Sequence, residues 1–500
     1  MVTGKNIASG ETSMKGLGVR ALSSMSKEKI SDPWKAGMVL SMSVLAVFIG
    51  MLIPMLGIST GLTALIIVLV SSLAIALAVV LYFAACSRPW AISSYLFLVI
   101  LVTDISLRPS GMETSSFDIQ SLTKLVIWGG ALVIALTNLS KVRVAVARAK
   151  PVLLLLYAII AILSSLWSTT PWYSFGSGVV LLSVVVFCAV VAESLSPRQI
   201  INSILAAMTI FVMLSLLRYF YLAATGGFSG FENFRYSGFA GSVNNLGRIG
   251  GLLLLFLWLS HLYRSMSLRR GWTLTGLGLF ALVTSQSRTA MVATFISFWP
   301  TLSGKMRAIT LLLGSIILVI VMLLYGNKLI EPEQGAQFIS RSGEVGEVTT
   351  LTGRTSIWSY AWEKYQQSPL LGHGYAATRE FMPKEYFTVY GWTTNSAHNT
   401  VLQSLVTTGI LGTSILLMLW LLQFHDFLFR RSPFRDSIFT IVIVSGLTEA
   451  GVVGLMPTVI TVLWSLSLFW HDPAESSAST TKSRKPLDNS FVPSRNNAGG

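Results

Sequence analysis

The chain has 500 residues, 53% of them hydrophobic and only 11% charged, where soluble domains carry roughly 25% charged residues. So little polar surface excludes a soluble globule of this size, and the surplus apolar surface must face lipid. The net charge of +15 does not point to nucleic acid, because the basic residues are dispersed in short connections between apolar runs, a placement that topology explains.

In chain order, residues 1–36 are polar and basic and show no cleavable signal pattern, so they are expected to form a disordered cytoplasmic tail. The first apolar run begins near Gly37 and would act as an uncleaved anchor. Stretches such as 63–82, 152–166, 252–258 and 309–324 contain no charge, and the longer ones approach the roughly 20 residues a spanning helix needs. They are continuously apolar rather than alternating, which selects helices over a barrel. Candidate spans centre near residues 46, 73, 97, 129, 159, 184, 212, 255, 278, 296, 316, 410, 445 and 463, about 12–14 in all. Cys86 and Cys188 lie in or beside apolar segments and read as small core side chains.

If the N-terminal tail is cytoplasmic, every second connection should be basic. The basic connections hold Arg88; Lys141, Arg143, Arg148 and Lys150; Arg198; Arg264, Arg269 and Arg270; Lys305 and Arg307; and Arg430, Arg431 and Arg435. The tail at 472–500, with Lys482, Arg484 and Lys485, reads as disordered and cytoplasmic as well. The expected organisation is therefore a tail at 1–36, a first membrane bundle at 37–325, a large outer loop at 326–397, C-terminal membrane helices at 398–471 and a second tail at 472–500.

Loops of this length in a compact protein are usually functional or disordered. The large one contains Trp358, Trp362, Tyr365, Phe381, Tyr386, Tyr390 and Trp392, which argues for order. Residues 355–367 predict an amphipathic helix with Ile357, Trp358, Ala361, Trp362 and Tyr365 on one face, suited to the headgroup interface or to a lid on the bundle. Pro369, Gly372 and Gly374 then turn the chain. A second outer loop is expected at about 224–247. Its Gly227-Phe-Ser-Gly230 resembles an intramembrane serine-protease motif, but lies in a polar loop rather than at a helix start.

His398 stands where the large loop enters the apolar run after Thr400, a position suited to accepting a proton; a plain capping role is the alternative. His373, between two glycines, reads as a turn residue. Arg235, Arg248, Arg288 and Arg354 fall on the outer side, with Arg218 near the outer end of a span. Positive-inside topology disfavours them there, and arginines bind phosphate groups in a bidentate fashion. Ion pairing with loop acids such as Glu232, Glu344 or Glu347 is the competing explanation. No metal-ligand motif is present, and neither a metal nor another cofactor is expected.

Three blocks, Leu351-Thr-Gly-Arg-Thr-Ser-Ile-Trp358, Pro369-Leu-Leu-Gly-His-Gly-Tyr375 and Ser396-Ala-His-Asn-Thr-Val-Leu-Gln403, followed by Thr408-Gly-Ile-Leu-Gly412, resemble the bacterial O-antigen ligase and Wzy-type polymerase superfamily. The Thr-Gly-Arg-Thr opening is most similar to its exopolysaccharide branch, the ExoQ-like proteins. Weaker echoes are Arg235-Tyr-Ser-Gly, Asn244-Asn245-Leu-Gly and Ser285-Gln-Ser-Arg288-Thr-Ala. The resemblance implies an all-α, GT-C-like transmembrane bundle with one large periplasmic loop, in the bacterial inner membrane with both termini cytoplasmic. It also implies glycosyl transfer on the periplasmic face, from an undecaprenyl-pyrophosphate-linked oligosaccharide to an acceptor glycan. His398 would then be the general base, Arg288, Arg235 and Arg354 would hold the pyrophosphate, and Asn399, Asn245 and Trp358 would support them. Arg248 and Arg218 are not selected by the motif.

The resemblance further implies an inverting, metal-independent enzyme that polymerises exopolysaccharide or O-antigen repeats. Ligation of O-antigen to a lipid A core is the alternative, and chain-length regulators or export proteins are candidate partners. His373, between the two glycines, and the tail beyond Trp470 depart from the pattern. A flippase for lipid-linked sugars is the rival of another class; it predicts internal repeats and midplane acids, and only Asp104 and Glu449 lie near apolar spans.

Overall fold

The computed structural model describes residues 76–106, 119–226, 231–232, 235–265, 268–302, 354–390 and 394–470. The candidate spans near 46 and 316, both tails, the 227–230 motif and residues 326–353 of the large loop lie outside the described residues. The chain divides into two units, Met1–Tyr95 and Leu96–Gly500. The described part of the first holds α1 (Ala76–Ala85) and the start of α2 (Pro89–Thr103), with Phe83 tilted against Trp90 at 5.3 Å between ring centres.

The second unit continues with α3 (Ile119–Thr137), α4 (Leu139–Val146), α5 (Ala149–Leu163), α6 (Pro171–Ser194) and α7 (Pro197–Thr225). A two-residue antiparallel ladder follows, β1 (Phe231–Glu232) with β2 (Arg235–Tyr236). Then come α8 (Val243–Leu262), α9 (Leu268–Ser285), α10 (Arg288–Ser297), α11 (Arg354–Gln367), α12 (Thr378–Tyr390), α13 (Thr400–Phe429), α14 (Pro433–Gly446) and α15 (Val459–Phe469). The protein is an all-α, multi-pass membrane protein. Among the described residues, α5 with its terminal 3-10 turn, α6, α7, α8 and α13 are long and apolar enough to cross a bilayer. The α3–α4 pair, bent by 86°, adds a sixth if it forms one span. In contrast to the span expected near 296, α10 has 10 residues and ends in a 3-10 turn.

Local chemistry sets where these helices begin. Proline occupies the first turn of α6, α7 and α14, where its missing N–H would have no intrahelical partner anyway. Ser196, Ser242, Ser287, Asn399 and Ser432 cap α7, α8, α10, α13 and α14 by accepting from backbone N–H groups. The cap at Ser242 corrects the second outer loop: helix begins at Val243, so Asn244 and Asn245 lie on its first turn. Within the bundle, glycines allow close approach. A Cβ on Gly250 would lie 2.8 Å from the Leu282 backbone nitrogen and one on Gly251 1.8 Å from Thr294 Oγ1, so α8 nests against both α9 and α10.

The two ends of this bundle are chemically distinct. At one, Lys150 pairs with Asp426, Arg435 donates to Asp436 at 3.2 Å, Arg148 pairs with Glu193 at 3.5 Å and Arg198 donates to the Tyr263 carbonyl at 3.0 Å. These are residues of the basic connections, which the fold gathers on one side. The opposite end carries the β1–β2 ladder, the starts of α8, α10, α13 and α15, and the pair α11–α12.

That pair packs through Ile357, Tyr360, Met382 and Tyr386, while Ala361 joins Ala397 and Val406 beneath it. The buried stripe of α11 therefore differs from the expected one. Tyr360 turns in, its hydroxyl donating to Glu385 at 2.9 Å, and Trp362 is 47% exposed. With α12 on one flank and α13 on another, the stripe broadens toward α12. Beneath the pair, α13 breaks at Gly409 (φ 63°, ψ −165°). Segment 369–374 fills the break: Ile410 N–H donates to Pro369 at 2.8 Å, and His373 and Gly374 N–H donate to Val406 and Thr407, each at 2.9 Å. The broken helix thus keeps its backbone groups bonded, as membrane depth requires.

Candidate functional site

The site grows from four helix starts and one short connection. Asn399 caps α13, its Oδ1 accepting from Val401 and Leu402 at 3.0 Å each, and its amide donates to the Leu447 carbonyl at 3.2 Å. This fixes the residue before it, His398, in the left-handed region (φ 46°), a conformation that costs a non-glycine residue about 1 kcal/mol or more. Thr400 donates to the Glu449 carbonyl at 3.0 Å. The two bonds clamp the α14–α15 connection against the start of α13 and set Glu449 facing His398.

Glu449 is the hub. Its Oε1 accepts from Arg354 at 3.0 Å and from Asn244 at 2.8 Å, and its Oε2 lies 3.4 Å from His398 Nδ1. Burial pushes its carboxyl up, but the His398 hydrogen bond and the charges of His398, Arg354 and Arg248 outweigh this and hold it below the usual range. Asn244 Oδ1 in turn accepts from Arg235 at 3.2 Å and from Ser287 at 3.1 Å. Arg235, 7% exposed, also donates through Nε to the Ser285 carbonyl at 3.0 Å. Arg248 is held by the Asn245 side chain and lies so near Gly451 that a Cβ there would sit 2.3 Å from its guanidinium.

A shallow cleft, open to the surface, lies between α8, α10 and α14. Asn244, Arg248, Ser287, Thr289 and Glu449 line it together with Ala290, Ala293, Thr294, Ile441 and Ser445. Arg288 is exposed between the lining residues Ser287 and Thr289, with no ion pair or hydrogen bond among the described residues. Chemically, the lining pairs an arginine with a glutamate, beside a carboxylate-oriented imidazole. With Nδ1 directed at Glu449, Nε2 of His398 is left to accept a proton, in the arrangement of a base held by an acid. His398 retains 29% side-chain exposure, so the ring is reachable.

The structure thus brings His398, Arg235 and Arg354 into one network, and places Arg288 beside it. Arg354 pairs with Glu449, while the loop acids Glu344 and Glu347 lie outside the described residues. Asn399 is a cap and clamp, and Asn245 serves Arg248 while also donating to the Ala240 carbonyl at 3.4 Å. Trp358 sits one turn after Arg354, half-buried, its indole N–H shielded and unbonded among the described residues. His373 stands at a bend, its Nε2 2.8 Å from the Lys364 carbonyl and its N–H donating to Val406. Arg218 donates to the Gly238 carbonyl and lies 5.0 Å over the Phe239 ring, bracing the loop before α8.

The sequence marks Glu449 only as an acid near an apolar span and Asn244 only within a motif echo, leaves Arg248 outside the motif, and gives Ser287 and Thr289 no site role. One signal was available: across residues 437–470, Glu449 is the only charged side chain. A lone ionisable group in an apolar stretch is a functional candidate. Nothing local distinguishes Asn244 from Asn245; the helical start at Val243 decides which of them turns toward Arg235.

Residues 273–417 match the family model described as O-Antigen ligase. That stretch includes Arg288, Arg354 and His398, and ends before Glu449. Over 289 residues the chain is 28% identical to "Exopolysaccharide production protein ExoQ" of Rhizobium meliloti (strain 1021), covering 55% of this chain and 64% of that protein. Over 163 residues it is 31% identical to "General O-oligosaccharyltransferase" of Acinetobacter baylyi (strain ATCC 33305 / BD413 / ADP1), covering 30% of this chain and 28% of that protein. The chain thus spans less than two thirds of the length of these relatives. The resemblance read from the three sequence blocks agrees with these matches.

Proposed function

We propose that this multi-pass membrane bundle, whose residues 273–417 match the O-antigen ligase family model, is an inverting glycosyltransferase of the periplasmic face. It takes a glycan from an undecaprenyl-pyrophosphate carrier and joins it to an acceptor sugar. The observation that carries this reading is the His398–Glu449 pair, whose glutamate lines a cleft together with Arg248 and whose neighbours are Arg235, Arg288 and Arg354. A site with this excess of guanidinium groups suits a pyrophosphate, and neutralising a leaving pyrophosphate is the chief electrostatic demand of the reaction.

In the proposed step, His398 Nε2 takes the proton from the acceptor hydroxyl as its oxygen bonds to the anomeric carbon. The bond from that carbon to the pyrophosphate oxygen breaks, and the lipid pyrophosphate leaves with the electron pair, its charge met by the arginines. Attack opposite the leaving group inverts the anomeric centre, and no step calls for a metal. The basic end of the bundle faces the cytoplasm on this reading, by the positive-inside rule, in the inner membrane of a bacterium.

The longer of the two matches is to a protein named for exopolysaccharide production. It favours polymerisation of repeat units, with a second lipid-linked glycan as acceptor, over ligation to a lipid A core. The test is purified protein with lipid-linked repeat units, with and without a lipid core acceptor. The chain should lengthen the repeats, and His398→Ala should lower the rate by about a hundredfold or more while the protein stays folded. Undiminished transfer by that variant overturns the mechanism; transfer to the lipid core alone overturns the polymerase assignment.

A further inference from the structure

Glu449 is shared. One carboxylate oxygen faces His398 at 3.4 Å, and the other is occupied by Arg354 at 3.0 Å and Asn244 at 2.8 Å. Resting on the proposed reaction, we infer that Glu449 is an exchangeable counter-ion that positions and strengthens His398 once a pyrophosphate has taken the arginines.

The charges at the site explain why. Around His398 and Glu449 stand Arg354 from α11, Arg248 from α8, Arg235 from β2 through Asn244, and Arg288 at the start of α10. Asp104, buried behind Arg248 and accepting from Val459 N–H at 3.2 Å, is a further carboxyl. The guanidinium groups oppose a second positive charge on the imidazole, and Arg354 holds one oxygen of the Glu449 carboxylate whose other oxygen faces the ring. A bound pyrophosphate gives Arg354 and Arg248 a better partner, because two phosphoryl groups accept bidentate bonds that a shared carboxylate cannot match. Glu449 is then left to His398, and both changes favour proton uptake at the ring. The base gains strength when the donor is in place.

The geometry makes the exchange inexpensive. Arg354 occupies the first position of α11, its side chain 20% exposed, and reaches Glu449 from the rim of the site. Letting go of the carboxylate requires a side-chain rotation and no movement of the α11–α12 pair. Asn244 keeps Glu449 anchored meanwhile, so that the carboxylate remains in place for the imidazole.

The experiment follows the titration of His398 by NMR in the full chain, with and without inorganic pyrophosphate, whose binding is measured separately by calorimetry. In the native protein, pyrophosphate should move the titration midpoint of His398 upward by about one unit. In Arg354→Gln, Glu449 has already lost its guanidinium partner, so the midpoint should start higher and respond less. In Glu449→Gln, which keeps the size and an accepting oxygen, it should lie lower in both states. An equal response in the native protein and Arg354→Gln would overturn the exchange, leaving only the direct field of the anion. Pyrophosphate that binds without moving His398 would overturn it too, while sparing the proposed donor site. No binding at all would instead overturn the donor site itself, and the exchange with it.

Discussion

Replacing Gly409 by alanine probes how the backbone break in α13 supports the site. Gly409 has φ 63° and ψ −165°, a region populated almost solely by glycine, so an alanine there costs about 1–3 kcal/mol in backbone strain. Its Cβ would also stand 2.3 Å from the Leu370 carbonyl oxygen and 2.4 Å from its carbon, and backbone atoms cannot rotate away. Segment 369–374 must therefore move off α13, endangering the bonds from Ile410 to Pro369 and from Gly374 to Thr407. At about 1 kcal/mol each, two lost bonds and the strain sum to roughly 3–5 kcal/mol. Because the same segment joins α11 to α12, the Arg354–Glu449 pair should loosen with it. Thermal unfolding of the purified variant should show a melting temperature lower by about 3–5 °C, and transfer should weaken chiefly through a raised KM for the donor. Native melting and native KM in Gly409→Ala would refute the argument, since no flexible side chain is present to absorb the contact.

Three further outcomes follow from the same contacts. Asn244→Ala removes bonds to Glu449, Arg235 and Ser287; steady-state kinetics should show kcat/KM lower by about ten- to a hundredfold, the worth of one charge-assisted bond at roughly 1.5–3 kcal/mol. Glu449 is held below the ordinary glutamate value of 4.5, so the stability it contributes is complete above that pH and is lost as pH falls through its lowered folded value. Glu385 is shifted the same way: burial raises it, while bonds from Lys364 and Tyr360 and the charge of Lys364 more than reverse this. Melting temperatures between pH 6 and pH 3 should accordingly fall less steeply in Glu449→Gln than in the native chain, and parallel curves would refute the assignment. At the basic end, Asp426→Asn leaves Lys150 without its carboxylate and Arg435 with Asp436 alone, and should lower stability by about 3 kcal/mol. Its donor KM should be unchanged, because that cluster lies at the other end of α13.

Much of the fold was legible before any coordinates. Continuous apolar runs dictate helices in lipid, since only they satisfy their own backbone groups, and the dispersed lysines and arginines mark one end of the bundle. The helix starts were equally local, fixed by residues such as Pro171, Ser196 and Asn399, whose capping chemistry acts within one turn. His398 was legible because it stands at the border of an apolar run and within a recognisable block.

What only the tertiary structure decided is which of these groups meet. Glu449 lies 51 positions from His398 and 95 from Arg354 along the chain, and Asn244 lies 205 from Glu449. No periodicity links such positions. They converge because α8, α10, α13 and α14 pack through glycines and small side chains that bring their ends together. The buried stripe of α11 was misassigned for the same reason: a helix reads as amphipathic from its own sequence, but a second neighbour, here α12, changes which side chains it covers. Short-range physical chemistry thus determined the membrane bundle and its sidedness pattern, while long-range packing made one isolated glutamate the centre of the site.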